Sequence, residues 1–229
     1  MSNHIIETKS LSKIYQEGPA KVHAVDNVDL QINQGEFIAV VGPSGSGKTT
    51  LLNLVGGLDQ PTSGEIRIDG ADLHLLKASE LIDFRLKNIG FIFQSYNLIP
   101  VLTAKENVSF VMNLQNRPKE ECENRAMELL KTVGLDDRAD SRPSKLSGGQ
   151  QQRVAVARAL ASKPKFILAD EPTANLDSKS AGTLLDMMEQ LNEQENITFI
   201  FSTHDPRVVE KARRVITLQD GRIVSDVNK

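Results

Sequence analysis

Residues 42–49, Gly-Pro-Ser-Gly-Ser-Gly-Lys-Thr, have the glycine spacing and the final Lys-Thr pair of a phosphate-binding loop. The three glycines would let the backbone wrap closely around phosphate groups with its N–H groups pointing inward. Lys48 can reach the β- and γ-phosphates of a nucleotide, and the Thr49 hydroxyl can bind Mg²⁺. A glycine-rich turn with a solvated lysine is the alternative. It is disfavoured because a strand is predicted before the loop and a helix after it.

A short apolar run at residues 166–169 ends in two carboxylates, Asp170 and Glu171. This pattern resembles a Walker B motif, in which Asp170 would hold Mg²⁺ directly or through water. Glu171 would then polarise the attacking water as a general base. In-line attack on a γ-phosphate depends mainly on positioning and charge, which these residues could supply. Two solvated acids at the start of a loop are the alternative, and the phosphate-binding loop makes that interpretation the weaker one.

Residues 146–150, Leu-Ser-Gly-Gly-Gln, lead into a helix predicted to begin at Gln150. Ser147 and the backbone of Gly148 and Gly149 would form a second anion-binding helix N-terminus. Two phosphate sites in one chain are redundant for a single nucleotide. An ordinary serine–glycine helix cap is the alternative.

Hydrophobic patterning predicts the elements that must position these residues. Strands are predicted at residues 5–14, 22–32, 37–41, 64–70, 89–93, 166–169 and 198–201, with a break at residues 18 and 19. A hairpin is predicted at residues 214–218 and 222–227 around the Asp220-Gly221 turn. Helices are predicted at residues 49–55 and 178–194. The pattern is also helical from 103 to about 161, with Gly134 as the C-cap of a segment at 120–133. Alternating strands and helices predict a parallel α/β core, interrupted by an inserted helical subdomain at about residues 95–160.

Composition narrows the class of protein. The 229 residues are 39% hydrophobic and 25% charged with a formal net charge of −3, which suits a globular domain and gives no basic field for nucleic acid. Cys122 is the single cysteine, and its acidic neighbours predict an exposed helix and an unreactive thiol in a reducing compartment. We expect no signal peptide, because residues 1–4 show no basic cluster followed by an apolar run. We expect no membrane span, because no apolar stretch approaches roughly 20 residues. A membrane process would therefore need another chain.

The loop at residues 42–49 and the pentapeptide at 146–150 together resemble the ATP-binding cassette (ABC) ATPases, in which this pentapeptide is the signature motif. The run at residues 151–160 is also typical of that family. The resemblance covers about residues 5–227, with all motifs in family order. It implies an α/β fold: a P-loop NTPase core with a mainly parallel sheet, an N-terminal antiparallel β subdomain and an inserted α-helical subdomain. One domain, residues 1–229, would comprise a RecA-like core with the β subdomain (1–94 and 161–229) and the helical signature subdomain (95–160).

The resemblance implies ATP and Mg²⁺ as cofactors and an ATP-sandwich homodimer, in which the signature of one cassette closes on ATP held by the other. Gln94 resembles the Q-loop glutamine, which contacts Mg²⁺ or water and couples to a membrane partner. Asp177 resembles the D-loop acid, although Ala174 stands where many family members have glycine. His204 resembles the switch histidine at the γ-phosphate, and Tyr15 the aromatic residue that stacks on adenine. Each has a simpler interpretation: an exposed loop amide for Gln94, a structural histidine for His204 and a packed strand tyrosine for Tyr15.

The implied site residues form three overlapping sets. Those that would bind nucleotide are Tyr15, Gly42, Ser44, Gly45, Ser46, Gly47, Lys48, Thr49, Thr50, Ser147, Gly148, Gly149 and Asp177. Those that would act in catalysis are Glu171, His204, Lys48 and Gln94. Those that would contact the metal are Thr49, Gln94 and Asp170.

Residues 97–100, 103–108 and 142–145 further resemble the LolD and MacB branch of lipoprotein-releasing and macrolide or peptide exporters, whose partners are FtsX-like permeases. This implies a transporter ATPase subunit that is cytoplasmic and peripheral on the inner face of the cell membrane through its permease. The alternative is an FtsE-type ABC ATPase that regulates a membrane partner in cell-envelope processes. A soluble ABC protein acting on ribosomes or DNA is disfavoured, because the chain has one phosphate loop and only about fifty residues between Gln94 and Leu146. A P-loop kinase or GTPase has no use for the pentapeptide.

Overall fold

A computed structural model of the chain describes residues 4–17 and 20–229, so the break expected at residues 18 and 19 lies outside the described residues. The described strands are β1 His4–Glu17, β2 Ala20–Asn33, β3 Phe37–Val41, β4 Ser63–Ile68, β5 Ala71–Asp72, β6 Ile89–Ile92, β7 Phe166–Asp170, β8 Thr198–Ser202, β9 Arg214–Gln219 and β10 Arg222–Asn228. The helices are α1 Lys48–Val55, α2 Ala78–Asn88, α3 Ala104–Leu114, α4 Lys119–Thr132, α5 Gly148–Ala161, α6 Ser178–Glu195 and α7 Pro206–Lys211. Short 3₁₀ turns occur at Leu73–Leu75, Asp136–Arg138 and Pro143–Lys145.

The predicted strands and the helices that begin near residues 49 and 178 are confirmed, with ends that differ by a few residues. The helical pattern from 103 to about 161 corresponds to three helices, α3, α4 and α5, with two 3₁₀ turns between α4 and α5. Helix α2 was not predicted, because none of its residues is fully buried and only Leu81 and Phe84 pack, partly buried, against the core. Helix α7 was also missed, since its six residues are too few to show a helical period.

The central sheet has the strand order β10-β9-β3-β8-β7-β6, and it is parallel except for the antiparallel pair of β10 and β9. In its register, Ser202 of β8 lies opposite both Val40 of β3 and Asp170 of β7. The carboxyl ends of these three strands therefore meet at one edge of the sheet. That edge is where parallel α/β sheets bind their ligands.

Strand β3 is buried on both faces, which explains its unbroken apolar sequence. Phe37 and Ala39 belong to a cluster that also holds buried residues of α3, α4, α5 and α6. The Phe37 ring lies 4.8 Å from the ring of Phe201 on β8, in a tilted arrangement. Ile38 and Val40 belong to a second cluster, filled by α1 and by the N-terminal sheet. The phosphate-binding loop thus leaves a strand that is packed from both sides.

A second sheet lies at the N-terminal end of the chain. Its strand order is β2-β1-β4-β5, and its pairs are antiparallel. Ile66 and Ile68 of β4 pack in the same cluster as Leu51 and Leu54 of α1. The expected antiparallel β subdomain is confirmed, and it packs on the helix that follows the phosphate-binding loop.

The C-terminal hairpin has the tight turn that its sequence predicted. Asp220 and Gly221 both have left-handed backbones, with φ of 49° and 77°, as a two-residue type I′ turn requires. The Gly221 N–H donates to the Ser46 carbonyl at 3.1 Å, and the Gly221 carbonyl accepts from the Asp26 N–H at 2.9 Å. The last strands of the chain therefore brace the phosphate-binding loop, a contact that no local pattern indicates.

Helices α3, α4 and α5 pack on one another at the position of the expected insertion. Helix α3 begins with a reciprocal cap, in which Thr103 Oγ1 accepts from the Glu106 N–H and the Glu106 carboxylate accepts from the Thr103 N–H. Gly134 follows α4 with a φ of 64°, as predicted for its C-cap region. The division into a core and a helical subdomain at residues 95 and 160 stays a prediction.

The expectation that Cys122 is exposed is wrong. Its side chain is 1% exposed, on the face of α4 that also buries Ala126, Leu129 and Leu130. Charged neighbours suggested a solvated helix, but the i, i+4, i+7 spacing of these residues places them on one stripe that packs on the core. Burial, with Glu121 as a further cause, raises the pKa of the Cys122 thiol, so the thiol stays unreactive.

Every helix in the described ranges is too short or too polar to span a bilayer.

Candidate functional site

Two glycines of the phosphate-binding loop occupy positions that no other residue fits. Gly47, with a φ of 99°, would overlap the carbonyl oxygen of Ala24 if it carried a Cβ atom. A Cβ at Gly42, with a φ of 151°, would overlap the carbonyl oxygen of Leu218. Both conflicts are with backbone atoms of neighbouring strands, so they cannot be relieved by a side-chain rotation. The loop is therefore shaped by long-range packing as well as by its own flexibility.

Lys48, the first residue of α1, folds back over this loop. Its Nζ donates to the carbonyl oxygens of Gly42 and Pro43, each at 2.9 Å. The ammonium group is thus held at the loop by exchangeable carbonyl contacts. A phosphate oxygen could replace these contacts, which suits a lysine that binds a nucleotide's phosphates.

The loop lines a cavity of about 650 Å³ at the carboxyl edge of the central sheet. The segments that follow β6, β7 and β8, which are distant in sequence, complete it. Its lining residues are Val22, Ala24, Gly42, Pro43, Ser44, Gly45, Ser46, Gly47, Lys48, Thr49, Thr50, Gln94, Glu171, Ser202 and His204. The structure thus brings the predicted loop, Gln94, Glu171 and His204 into one site.

Thr49 and Asp170 form the part of the site that suits a metal ion. The Thr49 hydroxyl lies 3.0 Å from Oδ1 and 3.1 Å from Oδ2 of Asp170. These are hard oxygen donors, which Mg²⁺ prefers, and Mg²⁺ completes its octahedron with substrate phosphates and water. No group of three His, Cys, Asp or Glu side chains suited to a metal occurs in the described ranges, 4–17 and 20–229. The chemistry of this pair therefore fits an ion that arrives with a nucleotide.

Glu171 is held in a strained and well-anchored position. Its backbone is left-handed, with a φ of 46°, and its N–H donates to the Ser202 carbonyl at 2.8 Å. Its Oε1 lies 2.7 Å from His204 Nδ1, and the Thr203 hydroxyl donates to Oε2 at 3.3 Å. The carboxylate and the imidazole therefore face the cavity as a bonded pair.

Asp205 directly follows His204 in the chain, and sequence reasoning missed it. Its carboxylate accepts from the Thr173 hydroxyl at 2.6 Å and from the Arg207 guanidinium at 2.7 Å. Hydrogen bonds from Arg207, opposed by burial and assisted by Thr173, lower the pKa of Asp205 to about 2. It is also the N-cap of α7, and an aspartate directly before Pro206 was the signal that could have indicated this. Asp205 joins the segment after β8 to the segment after β7.

The signature pentapeptide forms a capped helix N-terminus. Helix α5 begins at Gly148 with Ser147 as N-cap, two residues earlier than predicted, so Gly148 and Gly149 lie inside its first turn. Ser147 Oγ accepts from the Gln150 N–H at 3.3 Å, and Gln150 Oε1 accepts from the Ser147 N–H at 2.9 Å. The start at Gly148 follows from this reciprocal cap, since Gln150 is then the third helical residue. The two glycine N–H groups have no carbonyl partner within the helix, as an anion site requires.

A separate cavity of about 400 Å³ lies at this helix end. It is lined by Ser147, Gly149, Gln150, Arg153, Asp177, Lys179, Ser180 and Thr183. None of these residues lines the cavity of the phosphate-binding loop. Within one chain, the two predicted phosphate sites are therefore two cavities.

Asp177 lines this second cavity as the N-cap of α6. Its Oδ1 accepts from the backbone N–H groups of Lys179 and Ser180, each at 3.0 Å, and its Oδ2 from the Ser180 hydroxyl at 2.6 Å. Hydrogen bonds from the Ser180 side chain and backbone lower the pKa of Asp177. The residue is therefore a fixed, ionised group beside the signature helix.

Tyr15 lies on β1 opposite Val22, which lines the phosphate-loop cavity. Its hydroxyl donates to Asp59 Oδ2 at 2.7 Å. Tyr15 is therefore close to the mouth of this cavity and does not line it.

Gln94 reaches the cavity from the segment after β6, and its carbonyl accepts from Asn175 Nδ2 at 2.9 Å.

The fold and the phosphate-binding loop together define a P-loop ATPase, and the capped N-terminus of α5 stays a predicted second anion site. The family model of the ABC transporter family matches residues 25–174, and the chain belongs to this family as an ATP-binding cassette that hydrolyses ATP. An uncharacterized ABC transporter ATP-binding protein of Methanocaldococcus jannaschii is 49% identical over 98% of this chain and 100% of its own length. The macrolide export ATP-binding/permease protein MacB of Mannheimia succiniciproducens is 46% identical over 99% of this chain, which spans 35% of that protein.

A solved structure, the dimeric post-hydrolysis state of the cassette MJ0796 with bound ADP and Pi, matches with a TM-score of 0.90 and 44% identity. The match covers 97% of this chain and 98% of that one. The expected fold is confirmed by this similarity, as is membership of the ABC ATPases. The roles of individual site residues stay predictions.

Proposed function

We propose that this chain is the ATP-hydrolysing subunit of a transporter and works as a head-to-tail homodimer. The observation that carries this proposal is that the two predicted phosphate sites lie in cavities that share no lining residue. Within one chain, the signature helix therefore does not line the cavity of its own phosphate loop. Two chains in opposite orientation can each contribute a phosphate loop to one site and a signature helix to the other. The dimeric state of MJ0796, whose structure is so similar, supports this arrangement.

In each composite site, the loop at residues 42–49 would hold the phosphates through its backbone N–H groups, Lys48 and the N-terminus of α1. Thr49 and Asp170 would hold Mg²⁺, with Gln94 in the same cavity. When bound, Mg²⁺ neutralises phosphate charge and polarises the γ-phosphate. The second anion site, the helix N-terminus capped by Ser147, would come from the other subunit. Negative charge on the transferred phosphoryl group would thus be stabilised by groups from both subunits.

Glu171 would orient the attacking water and accept its proton. Its contacts with His204 and Thr203 hold the carboxylate at the cavity wall, where a water in line with the γ-phosphate can reach it. When a nucleotide enters, His204 can exchange its bond with Glu171 for one with a γ-phosphate oxygen. That exchange would free the carboxylate for the water only when the phosphate is present.

The test of this function uses the Glu171→Gln variant. It should still bind Mg-ATP but lose roughly 10²–10⁴-fold in hydrolysis, the usual loss for a missing general base. Because ATP remains bound between two subunits, light scattering after size-exclusion chromatography should find a dimer in millimolar Mg-ATP and a monomer in ADP. The Lys48→Ala variant is the matched control and should stay monomeric in both nucleotides. A Glu171→Gln variant that binds Mg-ATP as a monomer would contradict the sandwich.

The membrane partner is proposed to be an FtsX-like permease of the exporter and lipoprotein-releasing branch. The name of MacB joins an ATP-binding part to a permease, and this chain covers only 35% of that protein. An apolar groove of about 470 Å³ lies between α2, β6, α3 and α5, with Ile82 and Leu114 at its rim 55% and 53% exposed. Phe93 lines it and is directly followed by Gln94, which lines the nucleotide cavity. A cytoplasmic segment of the permease seated here would be coupled to the nucleotide through this pair and would hold the cassette on the inner face of the membrane.

Affinity purification from membranes tests this partner. The wild-type chain should retain a permease that mass spectrometry identifies, and the Ile82→Asp/Leu114→Asp variant should lose it. Val224→Asp is the matched control, because Val224 is 57% exposed on β10, outside the groove. Equal retention by both variants would place the partner elsewhere.

A further inference from the structure

We propose that Asp59 and Lys13 are positioning residues that hold the Tyr15 ring in place for stacking on the adenine base. This inference rests on the proposed function, ATP binding, and on the adenine-stacking role that the family resemblance implies for Tyr15. It adds the groups that would fix the ring before the nucleotide arrives.

The three side chains form a closed set of contacts. The Tyr15 hydroxyl donates to Asp59 Oδ2 at 2.7 Å, and Lys13 Nζ donates to Asp59 Oδ1 at 2.6 Å. Lys13 Nζ also lies 4.9 Å from the centroid of the Tyr15 ring. One carboxylate thus bonds both the tip of the ring and the cation that covers one of its faces.

This arrangement leaves one side of the ring for a ligand. A base that stacks must use the face opposite Lys13, since the ammonium occupies the other. The Tyr15 side chain is still partly accessible, at 37% exposure, although its hydroxyl is bonded and one face is covered. A ring held in one orientation has less conformational freedom to lose when a ligand binds, so preorganisation favours binding.

Asp59 is itself anchored to the helix that carries the phosphate-binding loop. The Leu58 and Asp59 N–H groups both donate to the Asn53 carbonyl of α1, at 2.8 and 3.3 Å. Lys13 Nζ donates in addition to the Gln60 carbonyl at 2.7 Å. Helix α1 begins at Lys48. One rigid helix therefore sets the distance between the phosphate site at its N-terminus and the aromatic ring fixed from its C-terminal end.

The pKa shifts of Asp59 and Tyr15 agree with these contacts. Burial works to raise the pKa of Asp59, but hydrogen bonds from Lys13 and Tyr15 hold it below its ordinary value, so the carboxylate is ionised. Burial, followed by the hydrogen bond to Asp59, raises the pKa of Tyr15, with Thr50 acting in the opposite direction. Tyr15 therefore stays a hydrogen-bond donor, and Thr50 of α1 is the second group at its hydroxyl.

The experiment compares Mg-ADP with Mg-pyrophosphate by titration calorimetry, because the two ligands share a diphosphate and only ADP carries the base. Asp59→Asn removes the charged acceptor, and Tyr15→Phe removes the hydroxyl but keeps the ring. Each should weaken ADP binding by about 2- to 10-fold, the range for one lost hydrogen bond, and leave pyrophosphate binding unchanged. The double variant should be no weaker than the more affected single variant, because both remove the same contact.

The Tyr15→Ala variant separates this inference from the proposed function. If it does not weaken ADP binding, the proposed role of Tyr15 itself is wrong. If it does, while Asp59→Asn and Tyr15→Phe bind ADP normally, only the positioning role of Asp59 is wrong. Equal weakening of pyrophosphate by Asp59→Asn would also overturn the inference, because Asp59 would then support the phosphate site and not the ring. Tyr15→Phe still decides the question if Asp59→Asn does not fold.

A spectroscopic measurement adds a readout specific to the ring. The chain has two tyrosines and no tryptophan, so Tyr96→Phe leaves Tyr15 as the sole tyrosine emitter. A carboxylate that accepts the phenol proton quenches tyrosine fluorescence. In the Tyr96→Phe background, Asp59→Asn should therefore increase the emission of Tyr15. Unchanged emission would show that the Tyr15–Asp59 bond is not formed in solution.

Discussion

Replacing Asp205 by Asn should destabilise the fold in a way that depends on pH. Its carboxylate joins Thr173, which follows β7, to Arg207 in α7, next to His204. The variant keeps the size of the side chain and loses the charge that both partners bind. Asp205 does not line the nucleotide cavity, so the variant tests the contacts that join the segments after β7 and β8 at the wall of this cavity.

The magnitude follows from the pKa of Asp205, which is about 2 compared with an ordinary value of 3.8. The side chain is only 10% exposed, so solvent screens the interaction little. At about 1.4 kcal/mol per pKa unit, the difference corresponds to about 2 kcal/mol of folding free energy at pH 7. Because the folded-state pKa is the lower one, this stability is present above about pH 4 and is lost as the pH falls through about 2.

Urea unfolding followed by circular dichroism at pH 7 and pH 3 measures this difference. The variant should be less stable than the wild type by about 2 kcal/mol at pH 7 and by about 1 kcal/mol at pH 3. Asp140→Asn is the matched control, since the Asp140 side chain is 88% exposed, and it should change the free energy of unfolding by less than about 0.5 kcal/mol. A loss at Asp205 that is the same at both pH values would refute the electrostatic reasoning and leave only a packing effect.

Three further predictions concern the phosphate sites and the helical insertion. Lys48→Ala should largely abolish ATP hydrolysis by removing the cation from the β- and γ-phosphates; near-normal turnover of the purified variant would contradict the assigned loop. Ser147→Arg should bind ATP as a monomer by calorimetry but neither dimerise nor hydrolyse it, and loss of ATP binding would mean that the signature acts within its own chain. Asn107→Leu should lower the free energy of unfolding by about 2–4 kcal/mol in urea, since buried Asn107 satisfies the Ile99 N–H and the Thr103 carbonyl; an unchanged midpoint would show that water replaces these bonds.

Several features could be read from the sequence because their cause is local. The phosphate loop at residues 42–49 needs glycines and a lysine at fixed spacing, and its flanking strand and helix have clear hydrophobic patterns. The Asp220-Gly221 turn was predictable for the same reason, since two consecutive left-handed residues restrict the choice of amino acids. Such signals lie within a few residues of the structure they specify.

Other features were decided only when distant segments packed together. Cys122 looked solvated among its charged neighbours, but the packing of α4 on the core buries it. The brace between Gly221 and Ser46 and the contact between Tyr15 and Asp59 join residues far apart in the chain. The separation of the two predicted phosphate sites into different cavities also depends on where helices α3, α4 and α5 pack against the sheet. Local residue patterns indicate which backbone conformation each segment prefers. These contacts depend instead on where whole strands and helices lie relative to one another. That placement is determined by the burial of their apolar faces in a shared core.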